Sequence, residues 1–365
     1  MKLFDKHPDT IVRDQQPFNA EPPLDLLRES FVTPKELFYV RNHGSVPEVD
    51  PAGYRLAVSG SVEEPLELST EEIKNEFPKE VVVATIHCAG NRRDELMEVA
   101  EIPGEIPWNA GALGNARWGG VPLREVLRTA GVNEEARHVA FDGLDEVEEG
   151  ESPNFGGSIL LKKAMRPDVL LAYEMNDEPL APEHGFPLRA VVGGYIGARS
   201  VKWLSSITLQ EEPSTNFFQR SSYRLFPPYL QEEPADSPQG LMLGEISVNA
   251  AICRPKEGET VPAGDVSFEG YAIAGGERRI ERVDLSADGG QAWTGANLLE
   301  AGRDHPWAWR FWEAELQLDP GQHQIVVRAL DSAADTQPED AGSIWNLKGY
   351  VNNAWHKVRV NARHA

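Results

Sequence analysis

Cysteine is scarce in this chain: 365 residues contain two, Cys88 and Cys253. They are far apart and expected in different domains, so they support no disulfide framework. There is no CxxC, no HExxH, and no close Cys/His pair beyond the adjacent His87 and Cys88. Adjacent residues on a strand point to opposite faces, so no closed zinc site is expected. No GxGxxG follows a strand and no GxxxxGK precedes a Ser or Thr, which leaves nucleotide cofactors, flavin and NAD modules without support. Without a CxxCH, no c-type haem is expected. Basic residues are also short, 35 Lys and Arg against 58 Asp and Glu, for a net charge of −23. That balance excludes nucleic acid and anionic membranes as partners. It does not exclude a small anion. Exposed charges are screened beyond ~8 Å, whereas opposite charges 4 Å apart in a half-buried pocket attract by about 4 kcal/mol. No apolar run approaches the roughly 20 residues of a membrane span. The opening "MKLFDKHPDTIVRD" has neither an apolar signal core nor twin arginines. A cytoplasmic protein is expected, or a periplasmic one if a signal has been removed.

Glycine and proline are plentiful, 32 and 27, which favours many short elements. The length predicts two domains. Residues 1–235 read as a mixed α/β domain. A loop-rich opening leads to strands at "YRLAVSGSV" and "EVVVATIHC". "LSTEEIKNEF" reads as a helix capped by Ser69 or Thr70, with Glu71 and Glu72 at its positive end. "VPLREVLRTAGV" is a second helix, stopping at Gly131, and "HVAFDGLDE" is a strand entering an acidic loop. The acidic, Pro-containing "PYLQEEPADSPQG" reads as the connection between domains. Residues 236–365 then carry seven short strands at near-regular spacing: "ISVNAAI", "DVSFEGYAI", "ERVDLSAD", "AWTGANL", "WRFWEAELQL", "HQIVVRALD" and "AWHKVRV". Asp288-Gly289-Gly290 marks a hairpin. This pattern predicts an immunoglobulin-like β-sandwich.

The sharpest local feature is "TIHCAGNRR", residues 85–93. Cys88 ends a predicted buried strand and is followed by two arginines. Its own residues allow a structural, a nucleophilic or a metal-ligand reading. Arg92 and Arg93 would lower the thiol pKa and make thiolate the resting form, which suits a soft or high-valent metal. A cysteine hydrolase would need His43 or His184 as partner, and would leave the arginines unexplained. Cys253, in "NAAICRP", reads as a small buried hydrophobe.

"LFYVRNH", "TIHCAGNRR", "ARWGGVPL", "LLAYEMNDEPLAPEHGFPLRAVVGGYIGARSVKWL" and "IWNLKGYVNNAWHKV" follow one another in this order. Together they resemble the sulfite oxidase family of molybdenum enzymes, from "QPFNAEPP" to "NAWHKV". The resemblance implies one molybdenum–pterin group (Mo-molybdopterin) per chain, with Cys88 as the protein's ligand to the metal. It implies that the pterin and its phosphate are held at Tyr39, Val40, Arg41, Asn42, His43, Asp145, His184, Arg189, Ser200, Val201 and Lys202. A buried phosphate needs several fixed donors, and Arg, Lys and His supply them. It also implies oxidation of sulfite to sulfate in a pocket made by Arg41, Arg93, Trp108, Tyr223 in "FFQRSSYRLFPP" and Arg310 in "HPWAWRFWEAEL". On that reading Arg310 brings the sandwich to the active site, and Arg92 has no assigned role.

The family's usual "VVPGYIGAR" reads "VVGGYIGAR" here, with Gly193 in place of proline. "SIPL" reads "SILL", and "EVEEGESPNFGG" is locally different. There is no room for a haem domain, so the electron acceptor is expected to be oxygen or a separate cytochrome. A homodimer paired through the sandwich is implied. The alternatives are a nitrate or sulfoxide reductase on the same scaffold, or a molybdopterin-binding protein without catalysis.

Overall fold

In the computed structural model, residues 4–148, 150, 152–230 and 240–364 are described. The expected domain boundary, between residues 235 and 236, lies outside them.

The first domain is a mixed α/β unit built on two five-stranded sheets. One runs in the order Glu178–Pro179, Val169–Met175, Leu113–Pro122 and Glu80–His87, with Arg189–Val192 also paired to Val169–Met175. The other runs Leu66–Leu68, Leu56–Gly60, Leu204–Gln210, His138–Gly143, Gly156–Leu160. A single buried cluster draws on both sheets and on three helices, and includes Leu56, Val58, Ile73, Leu127, Phe141, Ala164, Leu171 and Ile207. The helix Thr70–Glu76 begins at Ser69, whose hydroxyl accepts from the Glu72 N–H, while the Glu72 carboxylate accepts from the Ser69 N–H. Two orphan donors are thereby satisfied. Helix Leu123–Ala130 ends at Gly131, whose φ of +68° suits glycine.

The second domain is a sandwich of a four-stranded and a five-stranded sheet around its own apolar core. All seven predicted strands are present, with two refinements. "AWTGANL" is split: Thr294–Gly295 pairs with one sheet and Asn297–Leu298 with the other. Glu259–Pro262, not expected from sequence, pairs in parallel with His356–Arg363. Ile280–Ser286 and Thr294–Gly295 are antiparallel across the Asp288-Gly289-Gly290 turn, as the hairpin signal predicts.

A third cluster belongs to neither domain alone. It joins Ala89, Leu113 and Tyr223 of the first to Tyr271, Trp309, Phe311 and Tyr350 of the second. Burying a side chain such as Phe311 there contributes about 1.5–3 kcal/mol. The sandwich also covers an edge. Strand Glu80–His87 ends its sheet, and Trp307 lies along it: Thr85 N–H donates to Trp307 O at 2.8 Å, and Trp309 N–H to Thr85 Oγ1 at 2.9 Å. An open edge is thus capped by the partner domain.

Candidate functional site

Cys88 leaves the end of Glu80–His87, a strand fixed by its pairing with Leu113–Pro122 from Glu80 opposite Gly120 to His87 opposite Leu113. Its own N–H donates to Ala112 O, and its carbonyl accepts from Asn91 N–H, so the chain turns at once. Arg92 takes a left-handed φ of +64°, and helix Arg93–Val99 follows. Gly90 leaves room for the Arg93 side chain: a Cβ there would lie 2.8 Å from the Arg93 guanidinium carbon. The guanidinium therefore folds back over the turn that carries Cys88.

Twelve of the residues expected from the resemblance line one cavity of about 680 Å³ of atom-free space. They are Tyr39, Val40, Arg41, Asn42, His43, Cys88, Asp145, His184, Arg189, Ser200, Lys202 and Tyr223. Phe38, Phe155, Glu183 and Trp203 complete much of the wall and were not legible in sequence. The stretch Tyr39–His43 is held by the hairpin of Ile11–Gln15 and Phe18–Glu21: Val40 bridges Ala20, and Asn19 accepts from the Asn42 N–H at 2.7 Å. Lys202 Nζ donates to Asn42 Oδ1 and to Glu183 O. Arg189 donates to the carbonyls of His184 and Ser200, both at 3.0 Å. Val201, between two wall residues, turns its side chain into the inter-sheet core instead. Any contact it makes with a ligand would be through its backbone.

The electrostatics show what this cavity accommodates. Arg41, Arg189 and Lys202 face it, with Asp145 and Glu183 as the acids on its wall. Burial, then the charge of Arg189, drives the Lys202 amine well below its ordinary value. Burial drives the Arg189 guanidinium down to about 10 and His184 well below the usual histidine range. Cations this destabilised favour an anionic occupant, and a phosphate-bearing pterin supplies one. The residues fit the group that the resemblance implies. Among the described residues no cluster of three His, Cys, Asp or Glu could hold a metal ion, so a metal at Cys88 needs ligands from that group.

The thiol itself departs from expectation. Burial pushes the Cys88 pKa up, and the opposing charges of Arg93 and Arg41 do not reverse it. Thiolate is therefore not the resting form of the bare site. A bound metal would displace the proton, because a coordinating thiol is deprotonated outright.

Arg93 and Trp108 stand beside this wall rather than on it. Trp108 is fully buried in the cluster that holds Cys88, with its Nε1 lacking a partner. Arg93 pairs with Glu105 at 3.1 Å and donates to Ile106 O and Lys348 O. Its guanidinium lies 5.0 Å over the Tyr350 ring, and that ring stacks on Tyr223 at 5.2 Å. Lys348 Nζ is 4.0 Å from Glu105. The sandwich thus does reach this region, through Lys348 and Tyr350 of "IWNLKGYVNNAWHKV". That stretch carries part of the resemblance, but no residue of it was expected at the site.

Arg310 is not there. It donates to Leu299 O at 2.9 Å and lines a separate hollow with Arg278, Arg279, Arg303 and His305. Strand alternation is the reason. Trp309 and Phe311 turn into the interdomain cluster, so Arg310 between them faces away. Arg92, unassigned from sequence, is fully buried. Its guanidinium donates to both Glu95 carboxylate oxygens at 2.7 Å and to Asn249 Oδ1 at 2.7 Å, and its carbonyl accepts from Asn352. It fastens the Cys88 turn to the second domain.

Both domains are matched by known families. Residues 43–218 match the family described as "Oxidoreductase molybdopterin binding domain", and residues 241–363 match "Mo-co oxidoreductase dimerisation domain". The chain is 44% identical over 96% of its length to the sulfite oxidase of Gallus gallus, spanning 78% of that protein. It is 41% identical over 99% of its length to the sulfite oxidase of Arabidopsis thaliana, spanning 96% of that one. Of the mitochondrial sulfite oxidase of Homo sapiens, 44% identical, it spans 66%. The crystal structure of the sulfane dehydrogenase SoxCD from Paracoccus pantotrophus superposes with a TM-score of 0.79 at 25% identity, covering all of this chain and 90% of that one. The chain belongs to the sulfite oxidase family of molybdopterin-binding oxidoreductases.

Proposed function

We propose that this protein oxidises sulfite to sulfate at a molybdenum–pterin centre held in the Cys88 cavity. The observation that carries the reading is the placement of Cys88 and Tyr223 on the wall of a buried cavity whose other walls carry Arg41, Arg189 and Lys202. When bound, the group supplies two-electron redox chemistry and oxygen transfer to sulfur. Cys88 holds the metal. Arg189, Lys202 and His184, with Asn42 and Ser200, hold the pterin and its phosphate. Arg41 and Arg93, near Cys88, balance the charge of the sulfite anion and orient it. Tyr223, whose phenol is pushed well above its ordinary value by burial, stays protonated and donates a hydrogen bond. Trp108, packed in the cluster that holds Cys88, shapes the pocket from behind its wall. Electrons leave to oxygen or to a separate cytochrome, and two copies pair through the sandwich.

The test is to load the purified chain with molybdopterin, add sulfite, and compare oxygen with cytochrome c as oxidant. Turnover with one of them is expected. The Cys88→Ser variant should keep pterin and lose at least about 100-fold in rate. Full activity in that variant would falsify the ligand assignment. One observation favours a second reading: the chain is 37% identical over 98% of its length to a nitrate reductase of Hordeum vulgare, of which it spans 42%. Reduction of nitrate by the same loaded protein, without sulfite turnover, would select it.

A further inference from the structure

Three side chains on the cavity wall form a chain of hydrogen bonds whose direction their chemistry decides. Arg41 Nη2 lies 3.2 Å from His43 Nδ1. A guanidinium only donates, so Nδ1 is the acceptor and carries no proton. A neutral imidazole then carries its proton on Nε2. His43 Nε2 is 2.8 Å from Tyr223 Oη. That contact is therefore Nε2–H donating to the phenol oxygen. The phenolic proton takes no part in it and is left to another acceptor. Tyr223 and His43 both line the cavity that holds Cys88.

The ring is fixed in this orientation. It stacks on Phe155 at 5.0 Å with an interplanar angle of 16°, lies 4.4 Å from Phe218, and meets Tyr223 edge-on at 5.9 Å. Turned over in place, it would present carbon rather than nitrogen to both Arg41 and Tyr223.

We propose that His43 is a positioning residue for the reaction. Arg41 selects its Nε2–H tautomer, and that N–H occupies the Tyr223 oxygen so that the Tyr223 hydroxyl proton points into the cavity. Tyr223 then serves as a one-way donor to an oxyanion oxygen. This rests on the sulfite reading for the identity of the anion, but not for the direction of the bonds.

The test uses the molybdopterin-loaded full chain labelled with nitrogen-15 at its nine histidines. The His43 ring signals are those missing in His43→Gln. An unprotonated Nδ1 with a protonated Nε2 is expected; the opposite tautomer, or a doubly protonated ring, overturns the proposal. Kinetics supply the second arm. His43→Phe keeps the stacking and removes both nitrogens, and should lower kcat on the order of 10- to 100-fold with KM changed by less than about threefold. His43→Gln, whose amide can donate to Tyr223 Oη, should recover most of the rate. Equal losses in both variants would mean that the ring only packs, and the proposal fails. If the wild type does not turn over sulfite, the sulfite reading fails, while the ring signals still decide the bond direction. If His43→Phe does not fold, those signals alone decide.

Discussion

At the scale of single residues, two arginines that look alike in sequence separate in space. Arg93 folds over the Cys88 turn and is gripped by Glu105 and Lys348 O. Arg310 sits on the far face of its strand among other arginines. Arg93→Met should therefore raise the KM for sulfite, through loss of uniform anion binding. Arg310→Met should leave it within about twofold. Steady-state kinetics on the loaded protein check both, and a raised KM in Arg310→Met would place that residue back at the site. Cys88 teaches a related lesson. Neighbouring charges suggest a resting thiolate, but burial outweighs them. A motif names the charges near a thiol and not the depth at which it lies.

At the scale of elements, the departure "VVGG" has a physical cause. A Cβ on Gly193 would lie 2.6 Å from Cγ of Trp307, the residue that covers the edge of strand Glu80–His87. The glycine and the tryptophan fit each other. The turn rigidity lost with proline is compensated by this packing and by Trp307 lying 4.1 Å from Lys163 Nζ. Gly193→Pro should destabilise the protein by about 1–3 kcal/mol through overpacking. Adding Trp307→Ala should recover part of it, a coupling expected of residues in contact. Urea unfolding of the single and double variants measures this, and strictly additive losses would refute it. The elements themselves were largely legible: a serine cap, apolar periodicity and Asp-Gly-Gly turn chemistry are local signals. Glu259–Pro262 was not, because its pairing in parallel with His356–Arg363 depends on a strand about a hundred residues away.

At the scale of the whole molecule, the sandwich holds the metal-ligand turn. Val351 N–H donates to Ala89 O at 2.7 Å, Tyr271 Oη meets Asn91 at 3.2 Å, Asn249 and Asn352 take Arg92, and Lys348 O takes Arg93. Four of the five residues that follow Cys88, namely Ala89, Asn91, Arg92 and Arg93, are tied to the other domain. Arg92→Met removes the fully buried partner of an ion pair whose Glu95 is partly exposed, and should cost about 1–3 kcal/mol. Molybdenum loading should fall with it, because the same turn presents Cys88. Unfolding midpoints and metal content measured together check this; lost stability with full loading would uncouple the two.

The sequence by itself determined the two-domain plan, the strands and helices, the family, and most of the residues that line the cavity. These rest on local periodicity, on turn chemistry and on the order of contiguous motifs. Tertiary structure alone decided that Arg310 faces away from Cys88, what Arg92 does, and that Lys348 and Tyr350 stand against Arg93. The physical reason is separation: Arg93 meets Lys348 across 255 residues of chain. Which face of a strand meets a distant loop is set by the packing of two domains, and no neighbouring residue records it.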